Sequence, residues 1–161
     1  MTGTRIAVAG ATGRVGRHIV DVARERGHEV VPMARSLGVD VISGEGLDAA
    51  LAGVDCIIDA ATGPSPVQDE ATSFFTTAAR NLQAAGERAG VTRLVVVSIV
   101  GADRFPTGYG AATYAHGQAA AAGPIPARVV RAAQFHELVP QLIEWGTQGD
   151  TAYVQEMPTR A

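Results

Sequence analysis

Three glycines open the chemistry of this chain, spaced Gly10-x-x-Gly13-x-x-Gly16 in the run Gly10-Ala11-Thr12-Gly13-Arg14-Val15-Gly16. The first glycine permits a tight turn. The second lets backbone approach an anion where a side chain would otherwise stand, and the third lets a helix pack closely on a strand. The run follows a short apolar stretch, Arg5–Ala9, and opens an amphipathic one with Val15, Ile19, Val22 and Ala23 at helical spacing. Helix-start amides and the positive end of the helix dipole would therefore face whatever sits over the glycines. Strand, glycines, then helix is the context a pyrophosphate cradle for NAD or NADP demands. About twenty residues on, an NAD site needs an acid for the ribose 2′-hydroxyl. The chain reads Met33-Ala34-Arg35-Ser36 there. Arg35 can fork onto a 2′-phosphate and Ser36 can add a hydroxyl, which favours NADP over NAD. Farther along, Ala60-Ala61-Thr62-Gly63 offers small residues where a cofactor ribose would lie.

These groups need a scaffold, and the hydrophobic pattern supplies one. Apolar runs at 5–9, 29–34, 39–43, 55–61, 93–100 and 127–131 read as strands, with 151–155 as a further terminal one. Helical patterns lie between them at 13–26, 47–52, 72–89, 111–122 and 137–145, and residues 63–69, with two prolines, read as loop. Alternation at this spacing implies right-handed βαβ units and an α/β, doubly wound parallel sheet in one domain across 1–161. Ligands of such sheets sit beyond the carboxyl ends of the strands, where the strand order reverses.

Composition narrows the function. A formal net charge of -3 argues against a nucleic-acid partner, which needs a basic face. No apolar run reaches the ~18 residues needed to span a bilayer, and the N-terminus has no signal pattern. The single cysteine, Cys56, suits a reducing cytoplasm. His18, His28, His116 and His136 lie far apart without metal-ligand spacing, so no metal is expected. His136-Glu137 could line a substrate cavity or simply begin a helix, with Glu137 suiting its positive end. Asp48 and Asp55 read as capping or surface charges. An uncovered sheet edge would allow self-association into a homo-oligomer.

The run GATGRVGR, residues 95–103 (VVVSIVGAD) and residues 125–137 (IPARVVRAAQFHE) resemble the NmrA-like branch of the atypical short-chain dehydrogenases/reductases. The resemblance covers nearly the whole chain. It implies a Rossmann fold, NADP(H) binding, and either reductase activity or a non-catalytic redox-sensing role. Members that reduce substrates resemble one another in a serine at the end of the fifth expected strand and a Tyr-x-x-x-Lys on the next helix. Ser98 and Tyr109 match these catalytic positions, but the lysine position is Thr113. The shifted frame, Tyr114 with Gln118, also lacks a cation, and all 13 basic residues of the chain are arginine. A phenol that ionises near ~10 needs a neighbouring positive charge to act as acid or base near neutrality. Arg104, from the preceding loop, is the nearest cation in sequence. Related enzymes also continue past the sixth strand with a segment that closes over substrate, most of which is not expected here.

Three readings follow. One is an NADP-dependent oxidoreductase acting on a small carbonyl or enone. Another is a non-catalytic NADPH-binding sensor that reports through a protein partner. A shortened remnant that folds poorly is a third.

Overall fold

Arg5–Ala9 forms strand β1 in the computed structural model, and its four apolar residues are buried, as a nearly all-apolar strand inside a covered sheet should be. The structure describes residues 3–133, 135, 140, 143–144 and 146–153. The chain divides into two compact units, Met1–Arg131 and Ala132–Ala161. In the first unit β1 leads through the glycine run into α1 (Arg14–Glu25), then β2 (Glu29–Met33), α2 (Leu47–Leu51) and β3 (Cys56–Asp59). Then come α3 (Gln68–Ala89), β4 (Arg93–Ile99) and α4 (Gly108–Ala121), and β5 (Ala127–Ala132) runs across the division. The second unit carries a two-residue hairpin, β6 (Thr147–Gln148) against β7 (Thr151–Ala152). The expected terminal strand at 151–155 thus appears as Thr151–Ala152, and residues 154–155 lie outside the described residues. So do His136, Glu137 and much of the expected helix at 137–145.

The sheet order is β2-β1-β3-β4-β5, and the registered pairs of β1, β2, β3 and β4 are parallel. Because β1 has β2 on one side and β3 on the other, the order reverses there, and a crevice opens above its carboxyl end. Alternate residues of β1 feed opposite faces. Ile6 and Val8 pack with Val20 and Ala23 of α1 on one face. Ala7 and Ala9 join the larger cluster on the other, with Leu47 and Leu51 of α2, Leu82 of α3 and Ile57, Leu94 and Val96 of the sheet. Each fully buried Leu or Ile here is worth about 1.5–3 kcal/mol over leaving it in water.

The expected strand at 39–43 does not form. Gly38, Gly44 and Gly46 take positive φ around it, and Asp40 closes a turn by accepting the Ile42 amide at 2.8 Å. Val39 and Val41 still enter the core, while Asn81 of α3 donates to the carbonyls of Val41 and Ile42 at 2.9 and 2.8 Å. A side chain therefore does what a neighbouring strand would have done. β2 is left at the edge, where Pro32, lacking an N–H, is tolerated. Two helices begin earlier than expected, α3 at Gln68 rather than 72 and α4 at Gly108 rather than 111. The Gln68 side chain joins these two starts by accepting the Gly108 amide at 2.6 Å.

The glycine run fixes how α1 meets the sheet. A Cβ on Gly16 would lie 2.0 Å from the Gly10 carbonyl oxygen, and one on Gly10 2.7 Å from that of Ala60. At Gly13 the corresponding approach is 3.1 Å, to Gly10 O alone. Gly16→Ala should therefore destabilise the fold by about 1–3 kcal/mol through overpacking against backbone that cannot yield. Urea unfolding checks this, with Gly13→Ala as the milder comparison.

Candidate functional site at the switch point

Three strand ends converge on the crevice. The Ala11 amide donates to Met33 O at 3.1 Å, tying the glycine loop to the end of β2, and Ala60 N donates to Ala9 O at 3.0 Å, tying the turn after β3 to β1. Gly10 makes its turn with φ 74°, and Gly13 caps α1 without any side-chain hydrogen bond. No acidic residue occupies the first turn of α1. A helix beginning this way presents its leading amides outward with the positive end of its dipole. Thr12, Gly13 and Arg14 are exposed along the rim, Val15 is half-buried and Gly16 is buried beneath it. Arg35 and Ser36 lie just past β2, exposed in a 3₁₀ turn that Gly38 closes in the left-handed region.

On the other side of the crevice, Ala60, Ala61 and Thr62 form the turn leaving β3. A groove of ≈ 260 Å³ opens beside it, lined by Ile42, Gly63, Pro64, Phe74 and Thr77 among others. The glycine run, Arg35–Ser36 and Ala60–Thr62 thus follow the ends of three neighbouring parallel strands, β1, β2 and β3.

The second group of expected residues lies on the α3–α4 face. Ser98 is 3% exposed near the end of β4, on the side of Leu94 and Val96. Tyr109 stands at the start of α4, with its ring edge-on to Phe75 at 5.7 Å. No hydrogen bond joins Ser98 to Tyr109 among the described residues. The Thr113 hydroxyl donates back into its own helix, to Tyr109 O at 2.8 Å and Gly110 O at 3.0 Å. It offers neither charge nor an open donor to the phenol one turn away. Arg104 lies exposed in a 3₁₀ turn before α4. Burial pushes the Tyr109 phenol above its ordinary value, and no cation opposes that shift.

Two residues that spacing did not single out prove central. Asp59, at the end of β3, meets His116 of α4 through Oδ2 and Nε2 at 2.8 Å, with both side chains 1% exposed. Asp59 Oδ1 accepts the Ala61 amide at 3.0 Å, and the imidazole stacks on Phe75 at 4.7 Å and 16°. His116 Nδ1 has no partner, which costs about 1–3 kcal/mol. The available signal was an acid inside an otherwise apolar strand, CIID, since a buried charge requires a partner. Among the described residues no cluster of three or more His, Cys, Asp or Glu could hold a metal, and no helix is long and apolar enough to cross a membrane.

The NAD(P)H-binding family profile matches residues 10–134, from the first glycine of the cradle to just past β5. The chain belongs to that family. It is 33% identical over 116 residues to the photosystem II assembly factor Ycf39 of Synechocystis sp., a match covering 63% of this chain and 36% of that protein. Among solved structures it resembles the Citrobacter sp. triphenylmethane reductase complexed with NADP(H), with a TM-score of 0.59 at 21% identity, covering 88% of this chain and 55% of that one. It also resembles a short-chain dehydrogenase/reductase superfamily protein of Agrobacterium tumefaciens with bound NAD, at a TM-score of 0.64 and 21% identity, covering 79% and 48%. The chain spans roughly half the length of these structures and the match about a third of the curated relative. These likenesses show the doubly wound α/β fold.

The raised Tyr109 value has a pH consequence. A phenol is neutral when protonated, so the folded state holds this proton more tightly than the unfolded chain does. The resulting stability is present below the ordinary ~10 and is lost as pH rises through the folded value. Tyr109→Phe should therefore lose less stability above that point than wild type. Ultraviolet difference titration of the two proteins should place the missing phenol on the alkaline side of ordinary tyrosine.

Proposed function

We propose that this chain is an NADP(H)-binding protein of the NmrA-like type that turns over small carbonyl or enone substrates poorly or not at all, and serves as a sensor of reduced cofactor. The carrying observation is the glycine cradle. The space that a Cβ on Gly13 would enter is bounded by one carbonyl oxygen and otherwise open, at the start of a helix with no side-chain cap. That fits a pyrophosphate. Gly10, Thr12, Gly13, Arg14, Val15 and Gly16 would hold it, Arg35 and Ser36 would take the 2′-phosphate, and Ala60, Ala61 and Thr62 would flank the ribose. The apolar groove of Ile42, Pro64 and Phe74 suits the adenine ring. When bound, the cofactor supplies a hydride at its nicotinamide.

The non-catalytic reading is favoured by the phenol. Ser98 and Tyr109 match the positions that the resemblance implies for catalysis, yet Thr113 spends its hydroxyl on its own helix, and burial holds the Tyr109 proton in place. A relative named as an assembly factor supports a role exercised through a protein partner. An acidic chain with one free cysteine, Cys56, fits a cytoplasmic location.

Calorimetric titration with NADPH and NADH tests the cofactor assignment. Wild type should prefer NADPH by tenfold or more, Arg35→Ala should remove that preference, and Gly13→Val should abolish binding without unfolding the protein. Equal affinity of wild type for both cofactors would sink the role of Arg35.

Catalysis is tested separately. Wild type should oxidise NADPH little with quinones, enones or aldehydes. Thr113→Lys places an amine one helical turn from Tyr109, and each pKa unit recovered is worth about tenfold in phenolate. A gain of at least tenfold is expected, and Tyr109→Phe should cancel it. Brisk wild-type turnover that survives Tyr109→Phe would overturn the sensor reading.

A further inference from the structure

We propose that Asp59 and His116 are positioning residues for the dinucleotide, a buried pair that sets the distance between the turn after β3 and helix α4. The first of these walls flanks the crevice assigned above to NADP(H), the second carries Tyr109, and the inference rests on that assignment. One carboxylate holds both walls. Oδ1 accepts the Ala61 amide at 3.0 Å, while Oδ2 meets His116 Nε2 at 2.8 Å. As a carboxylate Asp59 can only accept, which would make Nε2 the donor of this bond. The far face of the linkage continues through Phe75, stacked on His116 and edge-on to Tyr109.

The pair is an inefficient way to stabilise a core. Its Nδ1 is left without a partner, and hydrocarbon of the same volume often serves a buried ion pair's site as well or better. What a hydrogen bond adds over dispersion contact is a fixed length and direction. The place where that matters is close by. The Ala60 carbonyl and Ala61 Cα lie 2.7 and 2.8 Å from where a Gly10 Cβ would stand, so a small shift of this turn closes or opens the pyrophosphate cradle. On the other wall, His116 lies on the same helix as Thr113 and Tyr109, one and two turns further along.

Gln83 provides the contrast. It is equally buried, with its carboxamide bonded to Ala120 O at 2.6 Å, Ile125 O at 3.0 Å and Ile125 N at 2.8 Å. It grips the opposite end of α4, away from Tyr109. A purely structural role for Asp59–His116 would make the two clamps equivalent in their effect on cofactor binding.

The test is NADPH titration by nicotinamide fluorescence, with a thermal melt of each variant. Asp59→Asn/His116→Leu removes the bridge without stranding a buried charge. It should fold and yet bind NADPH at least tenfold more weakly. His116→Gln, whose carboxamide can still donate to Asp59, should stay within threefold of wild type. Gln83→Met should lower the melting temperature and leave affinity within threefold. The proposal is overturned by a folded double variant with wild-type affinity, or by equal weakening in Gln83→Met. Failure of the double variant to fold also overturns it, since the pair would then serve stability. Absence of NADPH binding by wild type overturns the cofactor assignment itself, and this inference with it.

Discussion

The structure depends on backbone meeting backbone at Gly10 and Gly16. A methyl group at position 16 would sit 2.0 Å from the Gly10 carbonyl oxygen, so α1 can lie against the end of β1 only where there is no side chain. That contact aims the start of α1 over the strand end. The same turn leans on Ala60, which brings β3 into the crevice, and the Ala11 amide reaches Met33, which brings in β2. Three strand ends are thus registered by a few ångströms of backbone contact, and the crevice they form belongs to an NAD(P)H-binding family fold.

Around this contact the interior is apolar, with a few polar side chains acting as clamps. Gln83 replaces strand and helix partners that Ile125 and Ala120 would otherwise lack, with every bond it makes satisfied. Asn81 does the same for the turn at Val41 and Ile42. Asp59 and His116 differ, because the histidine keeps one unsatisfied nitrogen. Such groups are costly where they serve packing alone and are retained where direction matters.

The α3–α4 face shows how one residue type sets local chemistry. Thr113 fits its buried position by turning its hydroxyl into its own helix. The charge that would lower the Tyr109 value is missing, and burial moves that phenol the other way.

By itself the sequence determined the α/β alternation, the glycine cradle and the position of Arg35 and Ser36 after the second strand. Those signals are local, a period of two or of 3.6 and glycines at fixed spacing, and local sterics act on them directly. It also showed that no lysine stands four residues after Tyr109, where the chain has Thr113. Tertiary structure decided what depends on distant partners. Residues 39–43 have a strand's apolar pattern, but flanking glycines with positive φ and the Asn81 side chain, 40 residues away, turn them into a loop. The starts of α3 and α4 are set by Gln68 reaching Gly108, again 40 residues apart. Asp59 and His116 stand 57 residues apart, and nothing local marks them as a pair. Only the packing of α3 and α4 against the sheet excludes water from both, and that exclusion makes them bond to each other.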